Sequence, residues 1–194
     1  LLVALLSLAA VAVLVGATVA VVEFIPKREE NSSTPTLEEI NVINLKADTL
    51  KSVTVNNGKG VFEFYSEKTA ETEDSSQSET VNWYLKGYDK ELISTSSVAS
   101  TVRTASSINA IREITEKSAA DCGLEKPEIK IDITDLEDNQ ISVLIGGESP
   151  DKSGVYLKLS SSEKIYLVSS SIKTGFIFEA LDFANAVSLE SITV

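Results

Sequence analysis

The sequence predicts an α+β protein: an N-terminal transmembrane helix followed by repeated antiparallel sheet-plus-helix units. Three observations predict it. Residues Leu1 to Val22 read LLVALLSLAAVAVLVGATVAVV, apolar but for Ser7, Gly16 and Thr18. Beyond that run, short stretches of period-two hydrophobic alternation are separated by turn residues. Each group of stretches then ends on a Ser/Thr cap and an apolar stripe at helical spacing, and the plan occurs twice.

At ~1.5 Å rise per residue the first run makes a helix of about 33 Å, enough to cross a hydrocarbon core of ~30 Å. Phe24 and Ile25 extend it, so residues 1–25 are assigned as the anchor. A cleaved signal peptide is the rival reading, with Thr18 and Ala20 as its small-residue site. Its apolar region usually spans only about 7–15 residues, and this run outlasts that. No Cys lies near the run, so no lipidated N-terminal cysteine is encoded. The chain has no Met and opens inside the run, so the natural start is expected upstream, along with any basic flank that would set orientation. Pro26 ends the anchor, and residues 26–36, with KREENSSTPT from Lys27 to Thr36, form a polar tether.

Residues 37–117 form the first sheet-plus-helix unit. Val53 and Val55 alternate with Ser52 and Thr54, Asn56-Asn57-Gly58 supplies turn chemistry, and Val61, Phe62 and Phe64 resume, which predicts a β-hairpin. Glu67 to Thr80 is acidic and Ser-rich and reads as an exposed loop. Val81 to Leu85 (VNWYL) returns as a strand carrying the single Trp. Thr95 to Ser97 then offer a cap for a helix with Val98, Val102 and Ala105 on one face.

Residues 118–188 form the second unit. Ile129, Ile131 and Ile133 alternate with Lys130, Asp132 and Thr134, Asp135 to Asn139 turns, and Ile141, Val143 and Ile145 return. Gly146 to Gly154 reads as a loop before strands at Val155 to Leu159 and Lys164 to Val168. Ser169 to Ser171 cap a helix ahead of Ile172, Phe176 and Ile177. The last residues, 189–194, read LESITV and echo LKSVTV at Leu50 to Val55. They are taken as the start of a truncated further unit, with chance similarity of two short strands as the alternative.

Composition narrows the function classes. The formal net charge of −12 repels nucleic acid phosphates and anionic headgroups, and no basic stripe with interleaved aromatics occurs. The lone Cys122 has no internal disulfide partner and sits among Ala119, Ala120 and Leu124, as a small buried side chain would. The absence of His removes the commonest general base and metal ligand.

Several motifs carry a chemical reading beside a structural one. Gly146-Gly147-Glu148-Ser149-Pro150-Asp151-Lys152-Ser153 approximates a P-loop, GxxxxGK[ST], with Asp151 in place of the last glycine. Pro150 lacks an N–H, Asp151 brings negative charge, and a strand follows instead of a helix, so an inter-strand loop is expected. Asp132, Asp135, Glu137 and Asp138 crowd one hairpin, but Leu136 and the missing Gly break the calcium-loop pattern, so a solvated turn is expected. Ser94 to Ser97 and Ser169 to Ser171 read as helix caps; no G-x-S-x-G elbow occurs. Trp83, Tyr84, Tyr156 and Tyr166 lie on strands, either in the core and cross-strand pairs or as an exposed binding patch. No catalytic, cofactor-binding or metal-ligating residue is assigned, and no cofactor is expected.

The pieces Cys122-Gly123-Leu124-Glu125-Lys126-Pro127, Leu144 to Pro150 (LIGGESP), Gly154 to Leu159 (GVYLKL) and Ile165 to Ser171 (IYLVSSS) occur in this order. As an ordered set they resemble the bacterial domain of unknown function 4340, closely over Asp121 to Ile172 and loosely over the first unit. The resemblance implies a repeated αβ module behind an N-terminal anchor. Some relatives lie near gliding-motility or ABC-2-type transport components, which implies an accessory role. It brings no catalytic residues. The resulting expectation is a single-pass cell-membrane protein with an extracytoplasmic, non-enzymatic structural or interaction module. Its partners would be the membrane, through residues 1–25, and an envelope protein, with no nucleic acid. A surface domain binding peptide, glycan or lipid is the alternative, and an envelope hydrolase comes third.

Overall fold

A computed structural model of the chain describes residues 40–68 and 81–185. The expected anchor, the tether, the strand at 189–194 and most of the acidic loop lie outside these residues. Among the described residues no helix is long and apolar enough to cross a membrane. The described residues are mostly antiparallel sheet with few helices, an α+β arrangement within one compact unit.

Among the described residues nine strands make one sheet. They are β1 (Ile40–Asn44), β2 (Leu50–Asn56), β3 (Val61–Lys68), β4 (Val81–Leu85), β5 (Ser107–Ile114), β6 (Ile129–Asp135), β7 (Gln140–Glu148), β8 (Val155–Leu159) and β9 (Ile165–Val168). Their spatial order is β1-β5-β9-β8-β7-β6-β2-β3-β4. Two meanders, β2-β3-β4 and β6-β7-β8-β9, join where β2 pairs with β6, Val53 opposite Ile133 and Val55 opposite Ile131. Strand β5 closes on β9, and β1 forms the far edge on β5. Every pairing is antiparallel.

The hairpin at Asn56-Asn57-Gly58 forms as its residues predict, with Gly58 at φ 78°, a left-handed position glycine takes without steric cost. Helix α1 (Thr95–Ser106) buries Val98, Val102 and Ala105, the stripe read from the sequence. Its cap is Ser94, the first of the Ser94 to Ser97 run read as caps and one residue before Thr95, with the Ser94 hydroxyl accepting from Ser97 N–H at 3.3 Å. Such a cap is worth about 1 kcal/mol. The helix stops without a glycine because Ser107 is extended, and Leu45 N–H captures the Ser106 carbonyl at 2.8 Å. Helix α2 (Ser170–Thr174) is one short turn capped by Ser169, as expected.

Helix α1 packs on β4 at one edge of the sheet and also meets β5 and β1 at the other. A sheet of this width twists enough to curl, and here it wraps around the helix. The enclosed face holds the main core. Leu50, Val53, Phe64, Ile131, Ile133, Val143 and Leu157 are all 0–1 % exposed. The segment after α2 closes this core: Phe178 packs edge-on against Phe62, Phe64 and Phe183 at centroid distances of 5.1, 5.9 and 4.9 Å. A second cluster on the opposite face gathers Ile114, Cys122, Leu124, Tyr156, Ile165 and Leu167.

Three expectations need correction. Glu67 and Lys68 continue β3 instead of opening the loop. Gly146 and Gly147 belong to β7, where they form the irregularity between the Ile145–Leu157 and Glu148–Val155 pairings, and the connection proper starts at Ser149. Strands β1 and β5 were not assigned from the sequence. In β5 a bulge between Ala110 and Arg112 breaks the alternation, leaving Ile111 43 % exposed.

Candidate functional site

The four sequence pieces that occur in fixed order meet on the outer face of the second meander. A turn at Ser118–Leu124 lies over β7, with Gly147 N–H donating to the Cys122 carbonyl at 3.0 Å. A Cβ on Gly146 would collide with that same carbonyl. A Cβ on Gly154 would collide with the Val168 carbonyl of β9. Gly146 and Gly154 therefore allow backbones to touch, and neither has positive φ. Gly123 does, at 71°, which lets the turn reverse. Cys122 is buried beneath the turn, and burial pushes its thiol above the ordinary range. The motif is a packing node.

The P-loop-like stretch connects β7 to β8, as its residues predict. From Ser149 onward its N–H groups are turned on the loop itself. Ser149 N–H donates to the Gly154 carbonyl at 2.8 Å, Lys152 N–H to the Ser149 carbonyl at 2.9 Å, and Gly154 N–H to the Ser149 hydroxyl at 3.2 Å. Asp151 accepts from the hydroxyls of Ser149 (2.7 Å) and Ser153 (2.8 Å), which hold its carboxyl down at about 2. Left-handed backbone falls on Lys152, at φ 57°, and not on a glycine. A phosphate cradle needs N–H groups that converge on a ligand, and here they are spent internally.

The acidic hairpin is likewise locally satisfied. Asp135 accepts from Glu137 N–H, Asn139 N–H and the Asn139 side-chain amide, each at 2.9 Å, and its carboxyl is lowered by these bonds, the Asn139 amide first. Asp138 pairs with Lys51, and Asp132 with Lys130 and the Ser142 hydroxyl. Among the serines, Ser94 and Ser169 are caps, and their hydroxyls bond neighbouring serines. Of the aromatics, Trp83 and Tyr156 are buried, 3 % and 4 % exposed, on opposite faces of the sheet, while Tyr84 and Tyr166 are half-buried.

The surface depressions among the described residues include two of note. One lies between α1 and the segment after α2, lined by Ser100, Thr101, Thr174, Ile177 and Asp182 among others. Its side chains serve the fold: Thr101 and Thr174 hydroxyls donate to helix carbonyls, and Asp182 accepts from Glu179 N–H at 2.7 Å. The other is a cleft of about 330 Å³ on the outer face of β3 and β4, lined by Glu63, Tyr65, Lys86 and Gly87. Tyr65 stands directly opposite Tyr84, ring centroids 5.8 Å apart, and Lys90 Nζ lies 4.6 Å over the Tyr84 ring. Lys86 Nζ donates to both Glu63 carboxylate oxygens, at 2.9 and 2.8 Å. Tyr65, Glu63 and Lys86 were not singled out from the sequence. The signal was there: Glu63 and Tyr65 occupy the positions out of phase with Phe62 and Phe64, which alternation sends outward.

A family described as Domain of unknown function (DUF4340) has a sequence profile that matches residues 83–191. No curated protein and no solved structure matches the chain. The matched span covers more than half of the sequence and contains every part of the packing node, from the Cys122 turn to the Ser169 cap. The chain belongs to the DUF4340 family.

Proposed function

We propose that this chain is a membrane-anchored, extracytoplasmic, non-enzymatic structural and interaction module, an accessory part of a cell-envelope or ABC-type transport assembly. The observation that carries the reading is the apolar run at Leu1 to Val22, followed by a polar tether and then by a folded domain. A span of that length suits a bilayer core, and the tether suits a domain held off its surface. The groups from which hydrolytic chemistry would be built support a non-catalytic reading. The cap serines bond their own helices, and Asp135 and Asp151 bond their own turns. We further read residues 37–117 and 118–188 as two copies of one plan, interlocked through β2–β6 and β5–β9.

Membrane fractionation of the full-length protein tests the proposal. Alkaline carbonate washing should leave it in the membrane pellet, and protease added to intact spheroplasts should remove the domain. Cross-linking in those membranes should recover transporter or envelope subunits in defined stoichiometry. Release of a mature form beginning near Val21, protection of the domain from external protease, or recovery of the protein alone would overturn it.

A further inference from the structure

We propose that the cleft on the outer face of β3 and β4 binds one ring of a neutral saccharide, with Tyr65 as the stacking platform and the Glu63–Lys86 pair as its polar clamp. This site goes beyond the accessory reading and stands whether or not the domain also has a protein partner.

Sheet register builds the platform. Tyr65 and Tyr84 are cross-strand partners, their rings inclined at 37°, and both point away from the core that Phe64 and Leu85 enter from the same two strands. Lys90 steadies Tyr84 from one side while bonding Glu67, leaving Tyr65 to line the cleft. Gly87 closes the cleft without filling it. Its φ of 88° turns the chain, and a Cβ placed there would meet no atom within 4 Å. Over β5, β7, β8 and β9 the outer face is occupied by the second cluster, which among the described residues includes none from β2, β3 or β4. A volume of about 330 Å³ is at the small end for ligand sites, which run from roughly 300 Å³ upward.

The chemistry of the lining selects the ligand class by elimination. An anion would meet a molecule of net charge −12 and a lysine already neutralised by Glu63. A cation on the Tyr65 ring would share the cleft with the Lys86 ammonium, and the Glu63 carboxylate that could balance it is already paired with that ammonium. A wholly apolar ligand would take Glu63 and Lys86 out of water with nothing to replace their hydration. A pyranose avoids all three costs. Its C–H face covers the Tyr65 ring, and its rim hydroxyls donate to the Glu63 carboxylate and accept from the Lys86 ammonium.

The full chain, reconstituted in nanodiscs free of sugar-headed detergent, should be titrated with cellotetraose and with N-acetylchitotetraose to about 10 mM, a range that captures weak single-ring sites. Saturable binding of at least one tetrasaccharide is expected, with amide shifts confined to β3, β4 and the Lys86–Gly87 turn. Tyr65→Ala should weaken it at least about tenfold, as loss of a central aromatic anchor does. Glu63→Gln and Lys86→Met, which leave the platform in place, should each weaken it severalfold while the thermal melt stays at the parent value. Absence of saturation with both sugars, or affinity unchanged in all three variants, would overturn the site. So would preferential binding of a polyanionic glycan such as chondroitin sulfate.

Discussion

At the scale of single residues, Asn57 shows how a turn side chain can hold a distant segment. Its amide nitrogen donates to the carbonyls of Phe176 and Phe178, both at 2.9 Å, while its oxygen accepts from Lys59 N–H at 3.1 Å. The residue is 8 % exposed, so Asn57→Ala would strand two carbonyls that close the core. We expect a loss of about 1–3 kcal/mol in urea denaturation, the cost of unmet buried polar groups; no change would mean that water replaces the amide there. The sequence marks Asn56-Asn57-Gly58 as a turn, but the partners of Asn57 lie over a hundred residues away, where local chemistry carries no trace of them. Asp151 is the opposite case, held by residues two positions either side. The Ser149 and then the Ser153 hydroxyl keep its carboxyl at about 2, below its ordinary 3.8. A depressed carboxyl stabilises the fold fully above the ordinary value, and that contribution fades as pH falls from about 3.8 toward 2. Carboxyl-detected NMR should find the Asp151 midpoint near 2 and see it rise toward the ordinary value in Ser149→Ala.

Elements were legible where one period ran unbroken. Strand β6 alternates strictly, and Ile129, Ile131 and Ile133 are 0–1 % exposed while Lys130 is exposed. Ile131→Ala should cost about 2–5 kcal/mol in chemical denaturation, and Lys130→Ala no more than about 0.5 kcal/mol, because Lys130 makes only a surface pair with Asp132. Equal costs would show that the strand presents its faces otherwise. Strand β5 was illegible for a physical reason. It follows α1 with no intervening residue, so no turn signal separates them, and its bulge shifts the burial phase between Ala110 and Arg112. The glycines of β7 misled for another. Gly146 and Gly147 read as loop chemistry, yet the smallness of Gly146 serves the contact with the Cys122 turn, a tertiary demand that resembles a local one. In the candidate site the same division holds: alternation places Tyr65 and Glu63 outward, but only the β3–β4 register brings Tyr84 opposite Tyr65 and, one step past Leu85, sets Lys86 beside Glu63.

At the scale of the molecule, sequence order and spatial order part company. The strands of residues 118–188 occupy the middle of the sheet, flanked on one side by β2-β3-β4 and on the other by β5 and β1. Removing either half would expose open edges and the enclosed face together, since α1 touches strands at both ends of the sheet. Folding should therefore be cooperative across the whole domain. Two native reporters sit far apart in the sheet order: Trp83 on β4, 3 % exposed in the main core, and Cys122 under the turn over β7, 1 % exposed in the second cluster. In a urea titration of the intact chain, Trp83 fluorescence and Cys122 alkylation under fast-exchange conditions should give the same midpoint and the same slope, the mark of an all-or-none transition. Ile131→Ala, placed at the β6–β2 junction, should shift both curves equally. A Cys122 transition that precedes Trp83, or a variant that moves one curve alone, would show instead that the second unit opens independently of the first.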